Sequence, residues 1–360
     1  MIRRIMEKRF VHTRLFILGV CLVIQSGGNA WSQNKKPLSL AELAAYTGRD
    51  REQRLLEGAK AEGKVVWYTS LAGSSYKELA KGFETRYPGV KVETYRGTST
   101  DIMTRITAEA QAKQILADVL ETTVPPLTYL RENKLIVPYT SPFLTKYPAS
   151  TKESAGRGLV YWTVDRETYS GVGYNTNLIP PSAVPKNYGD LLKPELKGKI
   201  GFVSNETGVR ALGAILKVKG EEFVKKLKMQ EVVLQSVSGR AMADLVVSGE
   251  VPLSPTVFRD HAIEVKSKGA PVEWMPMDVV PTNTGGVAII AQARNPHAAT
   301  LMADFLLSPE GAKILGDLEY GSPLKPTSYK LWYPEAGMST AQYDKAMERW
   351  EKQLRDLGRK

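Results

Sequence analysis

The chain has 360 residues, a formal charge of +11 and a single cysteine. Its length exceeds the roughly 250–300 residues at which one hydrophobic core stops growing, so it accommodates two lobes. One cysteine excludes an internal disulfide framework, and 42% hydrophobic with 24% charged residues excludes a disordered or fibrous chain.

The first thirty residues differ from the rest. Arg3, Arg4, Lys8, Arg9 and Arg14 precede the apolar run from Leu15 to Ile24, and small residues follow at Gly27, Gly28 and Ala30. A basic stretch, an apolar stretch of about ten residues and a small-residue exit predict a secretory signal peptide, residues 1–30, cleaved near Ala30. The run falls short of the roughly twenty residues needed to span a bilayer. Cys21 lies within it, after the bulky Val20 and before further apolar residues, which argues against a lipidation site. The exported chain then has no thiol for a disulfide, a nucleophile or a metal. Export removes five basic residues and one acidic, taking the charge from +11 to +7. Such a charge draws anionic ligands. Nucleic-acid binding would need a basic stripe, and short clusters such as Lys225-Lys226-Leu227-Lys228 read as a solvated face.

Residues 38–62 read as helix, interrupted near Gly48, with Leu38, Leu43, Leu55, Leu56 and Ala59 as apolar positions. Val65-Val66-Trp67-Tyr68 is a buried strand, and Ser70 to Ser75 is a Gly/Ser turn opening a helix through Leu79 and Phe83. Taken alone, Ser70, Ser74 and Ser75 could cap that helix or face an anion. Val90 to Tyr95 alternates as a strand, and Gly97-Thr98-Ser99-Thr100 repeats the hydroxyl-rich turn before a helix containing Ile102 and Ile106. Ala117 to Leu120 is a third strand, with Glu121-Thr122-Thr123 at its end. Three strand–turn–helix units predict a parallel α/β sheet with ligands outside the carboxyl ends of its strands. The pattern loosens from about 135 to 160, and Val172 to Asn177 reads as an extended crossing. It then restarts with the strand 199–203, the turn 204–208 and the helix 209–217. A helix opens at Ser236 to Arg240, a strand follows at 251–256, and a helix at 259–268. Gly285 to Ile290 is a strand, Pro296 to Leu306 a helix, and Tyr343, Met347, Trp350 and Leu354 form the apolar stripe of a C-terminal helix.

The sequence holds no G-x-x-x-x-G-K-[ST], H-E-x-x-H or G-x-S-x-G motif. His261 and His297, the histidines left after export, stand far apart, and a structural or solvent-facing role is the simpler reading of each. Nothing in the pattern asks for catalysis or a cofactor.

The segment Glu57 to Ser70 resembles the opening of mature periplasmic solute-binding proteins of ABC importers, of the ferric-iron-binding-like branch (type II, extracellular solute-binding family 1). So do Phe83 to Val90, Gly173 to Leu178, Leu196 to Ile200, Ser248 to Pro252, Lys268 to Trp274, Asn295 to Ala299 and Asp304 to Gly311. The likeness runs in order along nearly the whole mature chain. It implies two α/β lobes of the type II periplasmic-binding-protein fold, a ligand cleft between them, and delivery of the ligand to an inner-membrane permease by a monomeric periplasmic protein. Lobe 1 would comprise 31–170 and 283–338, and lobe 2 171–282, with a helix over 339–360. Carried over by position, the cleft would be lined by Ser70, Leu71, Thr98, Ser99 and Thr122 from the first lobe. Thr207, Ser238, Arg240 and Arg259 would face them from the second, with Asn283 and Thr284 at the returning crossing.

The chain departs from iron-binding members of that branch. They carry adjacent tyrosines where this chain reads Pro255-Thr256-Val257-Phe258-Arg259-Asp260-His261, and its first loop, Leu71-Ala72-Gly73, lacks a His or Tyr. Fe(III) is a hard cation that wants anionic oxygen ligands. An arginine grips a carboxylate, phosphonate or phosphate ester bidentately instead. The expectation is therefore a binding protein for a small anionic solute, with Ser70 on the ligand and Ser74 and Ser75 capping. Ferric-iron binding is the alternative, and a secreted hydrolase or transferase on similar architecture a third.

Overall fold

The computed structural model describes residues 38–358. The segment read as a signal peptide, with Cys21, lies outside the described residues. In chain order, α1 (Leu40–Ala44) and α2 (Arg51–Glu62) lead into β1 (Lys64–Thr69), α3 (Ser75–Arg86), β2 (Lys91–Arg96), α4 (Ser99–Gln111), β3 (Val119–Thr123) and α5 (Val124–Glu132). After the short β4 (Ile136–Val137) and β5 (Lys152–Gly156) comes β6 (Leu159–Asn175), seventeen residues long. The second half runs β7 (Gly201–Val203), α6 (Glu206–Lys228), β8 (Val233–Gln235), α7 (Gly239–Ser248), β9 (Leu253–Phe258), α8 (Arg259–Ser267) and β10 (Val272–Met275). It returns through β11 (Val280–Ile290), α9 (Pro296–Leu306), α10 (Pro309–Asp317), β12 (Leu331–Trp332) and α11 (Thr340–Leu357).

Local chemistry sets these boundaries. Thr98 and Asp101 form a reciprocal capping box that starts α4. The Ser238 hydroxyl accepts from Ala241 N to start α7, and Gly249, at φ 81°, ends it. His297 is structural: Glu62 takes its ring Nδ1 at 2.7 Å and accepts the backbone N–H groups of His297 and Ala298, closing the N-terminus of α9.

Strands β2, β1 and β3 lie side by side in parallel, and β11 and then β6 continue the sheet antiparallel. The far end of β6 pairs antiparallel with β9 and β10. Long strands β6 and β11 thus belong to both halves. One half packs Leu55, Trp67, Phe83, Met302 and Phe305 on one side of its sheet and Ile102, Ile106, Leu127 and Trp162 on the other. The other half packs Phe202, Leu212, Ile215 and Leu354 together, with Met242, Val246, Val257 and Val265 in a neighbouring cluster.

The length of β6 is a departure from the sequence pattern, which marked only 172–177 as extended. Asp165, Arg166 and Glu167 interrupt the apolar signal in a segment that is nonetheless buried.

Candidate functional site

A cleft of about 590 Å³ opens where the ends of β1, β2 and β3 meet the first turns of α3, α4, α6 and α7. Ser70, Arg96, Thr98, Ser99, Thr123 and Arg166 form one wall, and Thr207, Ser238, Arg240, Asp260 and His261 the other. Thr168 on β6 and Asn283 on β11 form its floor between the halves, and Tyr76 and Tyr320 also border it. The first turns of α3, α4, α6 and α7 border this space, and a helix start carries the positive end of the helix dipole.

Arg166 is the most constrained cation here. It is buried, its Nε donates to Glu121 Oε1 at 2.8 Å, and its Nη2 donates to Ser70 Oγ at 3.2 Å. Glu121 also accepts the Thr69 hydroxyl at 2.6 Å. The β6–β11 register shifts between Gly285 and Gly286, leaving Asp165 as the extra residue of a bulge. A bulge re-aims the side chain beside it, and here Arg166 lines the cleft while Asp165 is buried with both carboxyl oxygens unpartnered. Burial, with the nearby Glu121 charge, pushes the Asp165 carboxyl well above the usual range. Burial is the strongest influence and disfavours the Arg166 charge, but Glu121 together with the other nearby acidic groups outweighs it and keeps the guanidinium protonated. Arg96 donates its Nε to the Leu71 carbonyl at 3.1 Å, and Arg240 lies 3.4 Å from Asp244.

Thr98 and Ser238 use their oxygens to accept backbone N–H groups at the starts of α4 and α7. Each hydroxyl proton stays available to a ligand acceptor. The opposite polarity is also present. Asp260 Oδ1 and Asn283 Oδ1 are buried acceptors without a hydrogen-bond partner, and His261 Nδ1 is likewise unpartnered. The cleft therefore offers acceptors as well as donors.

Of the positions expected from sequence, Ser70, Thr98, Ser99, Thr207, Ser238, Arg240 and Asn283 come together in this cleft. Four do not. Leu71 is fully buried in the core beneath, leaving its carbonyl as its contact with Arg96. Thr122 points to the other face of β3, and its neighbour Thr123 lines the cleft, because side chains alternate along a strand. Thr284 faces away from Asn283 by the same alternation and donates to Glu335. Arg259 turns to Glu319, 3.1 Å away, rather than into the cleft. The capping expectation also changes: Ser74 makes no side-chain cap, and the Ser75 hydroxyl bonds to Tyr320. Arg96, Arg166, Thr123 and Tyr320 are cleft residues that sequence reasoning missed. The strand-end position of Arg96, just before Gly97-Thr98-Ser99, was the one available signal.

Residues 78–336 match the family of bacterial extracellular solute-binding proteins. An uncharacterized protein of Haemophilus influenzae is 30% identical over 268 residues, covering 71% of this chain and 76% of that one. Among solved structures, the periplasmic binding protein AfuA from Actinobacillus pleuropneumoniae, with fructose-6-phosphate bound, is 24% identical with a TM-score of 0.67. The match covers 82% of this chain and 99% of that one. Iron-bound HitA from Pseudomonas aeruginosa is 22% identical with a TM-score of 0.63, over 82% and 99%. These two likenesses speak to the fold, a type II periplasmic-binding-protein fold. The chain belongs to the bacterial extracellular solute-binding protein family, whose members bind small ligands and work with ABC transporter permeases rather than as enzymes.

Proposed function

We propose that this member of the family captures a small organic anion, a phosphate or phosphonate ester or a carboxylate, and presents it to the permease as a periplasmic monomer freed of residues 1–30. The observation that carries the reading is Arg166: a buried guanidinium, fixed from behind by Glu121, lining a cleft onto which helix starts converge. Such preorganised donors bind anions without paying for their ordering at the moment of binding. Ser70, Thr98, Ser99, Thr207 and Ser238 supply hydroxyl and backbone donors, and Arg96 and Arg240 add charge. Asp260 and Asn283 take hydroxyl or amino hydrogens elsewhere on the solute. The fructose-6-phosphate of AfuA is an anion of this class. We place the division between lobes where β6 and β11 cross, near 170 and 282, and closure on the ligand would bend there.

The test is a thermal-shift and calorimetric screen of the mature chain against phosphate esters, phosphonates, carboxylates and ferric salts. Stabilisation by organic anions, lost in Arg166→Met, supports the reading; stabilisation by ferric salts alone overturns it. A second reading, ferric iron, draws on Asp260, Tyr76 and Tyr320 sharing this cleft. It predicts a visible tyrosinate–iron band on loading, and a colourless loaded protein counts against it.

A further inference from the structure

Beyond the anion-binding cleft lies a second chamber of about 430 Å³. Ser99 and Thr100 at the start of α4 and Glu206 at the start of α6 border both spaces, so the two adjoin. Past that threshold the wall changes character. Met103, Pro125 and Pro126 on one side and Met338 and Met347 on the other give it an apolar surface, while the carboxylates Glu206, Glu335 and Asp344 also line it and keep the charged group of an anion out. Pro125 and Pro126 stand in the first turn of α5, where they remove the backbone N–H groups that a polar ligand would use. Methionine side chains are deformable and polarizable, so this surface fits apolar groups of varied shape. Met338 keeps 38% of its surface exposed. A concave apolar surface left open beside a polar site is the form of a ligand pocket. The volume is nearly three times the roughly 150 Å³ cavity that admits benzene.

We propose that the solute is an organic anion carrying an aryl or alkyl substituent: its charged group sits beside Arg166, and the substituent passes Ser99 and fills the chamber between Met103 and Met347. The proposal rests on the anion reading above. It sets the ligand class apart from small polyol phosphates, which would leave the methionine and proline surface uncovered.

The test is calorimetric titration of the mature chain with inorganic phosphate, methyl phosphate, glycerol phosphate and phenyl phosphate, and with acetate and benzoate. The expected result is phenyl phosphate or benzoate binding at least about tenfold tighter than its methyl counterpart. Met103→Gln and Met347→Gln, both at half-buried positions, should each bring that ratio down towards one. Equal affinities for the methyl and phenyl members, or a preference for glycerol phosphate, would overturn the proposal while leaving anion binding intact. An aryl preference that survives both glutamine variants would overturn it too, since the chamber would then be a gap between the halves. Absence of binding by every anion, inorganic phosphate included, would remove both readings together.

Discussion

Glu121 stands directly behind Arg166, its Oε1 2.8 Å from the guanidinium Nε, with Glu121 wholly buried and Arg166 buried but for the edge that lines the cleft. The pair exists because Gly285 leaves room for it. A β-carbon on Gly285 would lie 2.7 Å from Arg166 Nε and closer still to Glu121 Oε1.

Removing one member of this pair strands the other charge. Arg166→Ala should cost about 3–5 kcal/mol of stability in urea unfolding, mainly because Glu121 is left buried and unpaired. The double variant Arg166→Met/Glu121→Leu should recover most of that loss and still fail to bind the anion. A double variant as unstable as the single one would show that packing, not charge, dominates here.

Gly285→Ala tests the space itself. Its backbone conformation is one any residue adopts, so the effect is steric. Overpacking of this kind costs about 1–3 kcal/mol, and the displaced guanidinium should weaken ligand affinity more than the melting temperature alone implies. Thermal melts with and without ligand read both quantities.

Asp165 gives a pH signature. Its carboxyl titrates well above the usual range in the folded chain, because burial, and then the Glu121 charge, disfavour ionisation. The unfolded chain releases that proton near the ordinary value of about 4. Above that pH the native state holds more protons than the unfolded one, so this residue makes stability fall as pH rises. Asp165→Asn keeps the shape without the titration. Its melting temperature should match the wild type below about pH 4 and exceed it by a widening margin as pH increases towards the native carboxyl's own titration. A constant difference across pH would show that Asp165 stays charged.

The C-terminal helix is a structural part of the second core. Leu354 is buried against the cluster containing Leu212 and Phe202. Leu354→Ala should cost about 2–5 kcal/mol, whereas Lys352→Ala, on the exposed face, should change stability by less than about 0.5 kcal/mol. Urea denaturation of the two variants separates these outcomes.

Much of this fold was legible because its elements carry short-range signals. The Trp67 strand, the Thr98 turn and the Ser238 turn could each be read from a few adjacent residues. Two of the failures, Thr122 and Thr284, share one cause: side-chain direction along a strand. Thr122 and Thr123 are equally good cleft residues in the sequence, and only the pairing of Thr122 with Gly286 decides which faces inward. Arg166 was hidden more deeply. An Asp-Arg-Glu run inside a strand reads as surface until Glu121, forty-five residues earlier, is known to meet it. Of the two arginines chosen from the sequence, Arg240 lines the cleft, whereas Arg259 found a partner in Glu319, sixty residues away.

The Arg51–Asp304 ion pair, buried and 2.7 Å long, joins α2 to α9 across 253 positions of sequence. The first core therefore cannot finish when its own strands β1, β2 and β3 have been made. Leu55 and Phe83 wait for Met302 and Phe305, which arrive only after the whole second half has been laid down. Closing so long a loop is entropically slow. A chain emerging from its N-terminus thus stays unfinished, and pliable, until its last sixty residues are free to dock.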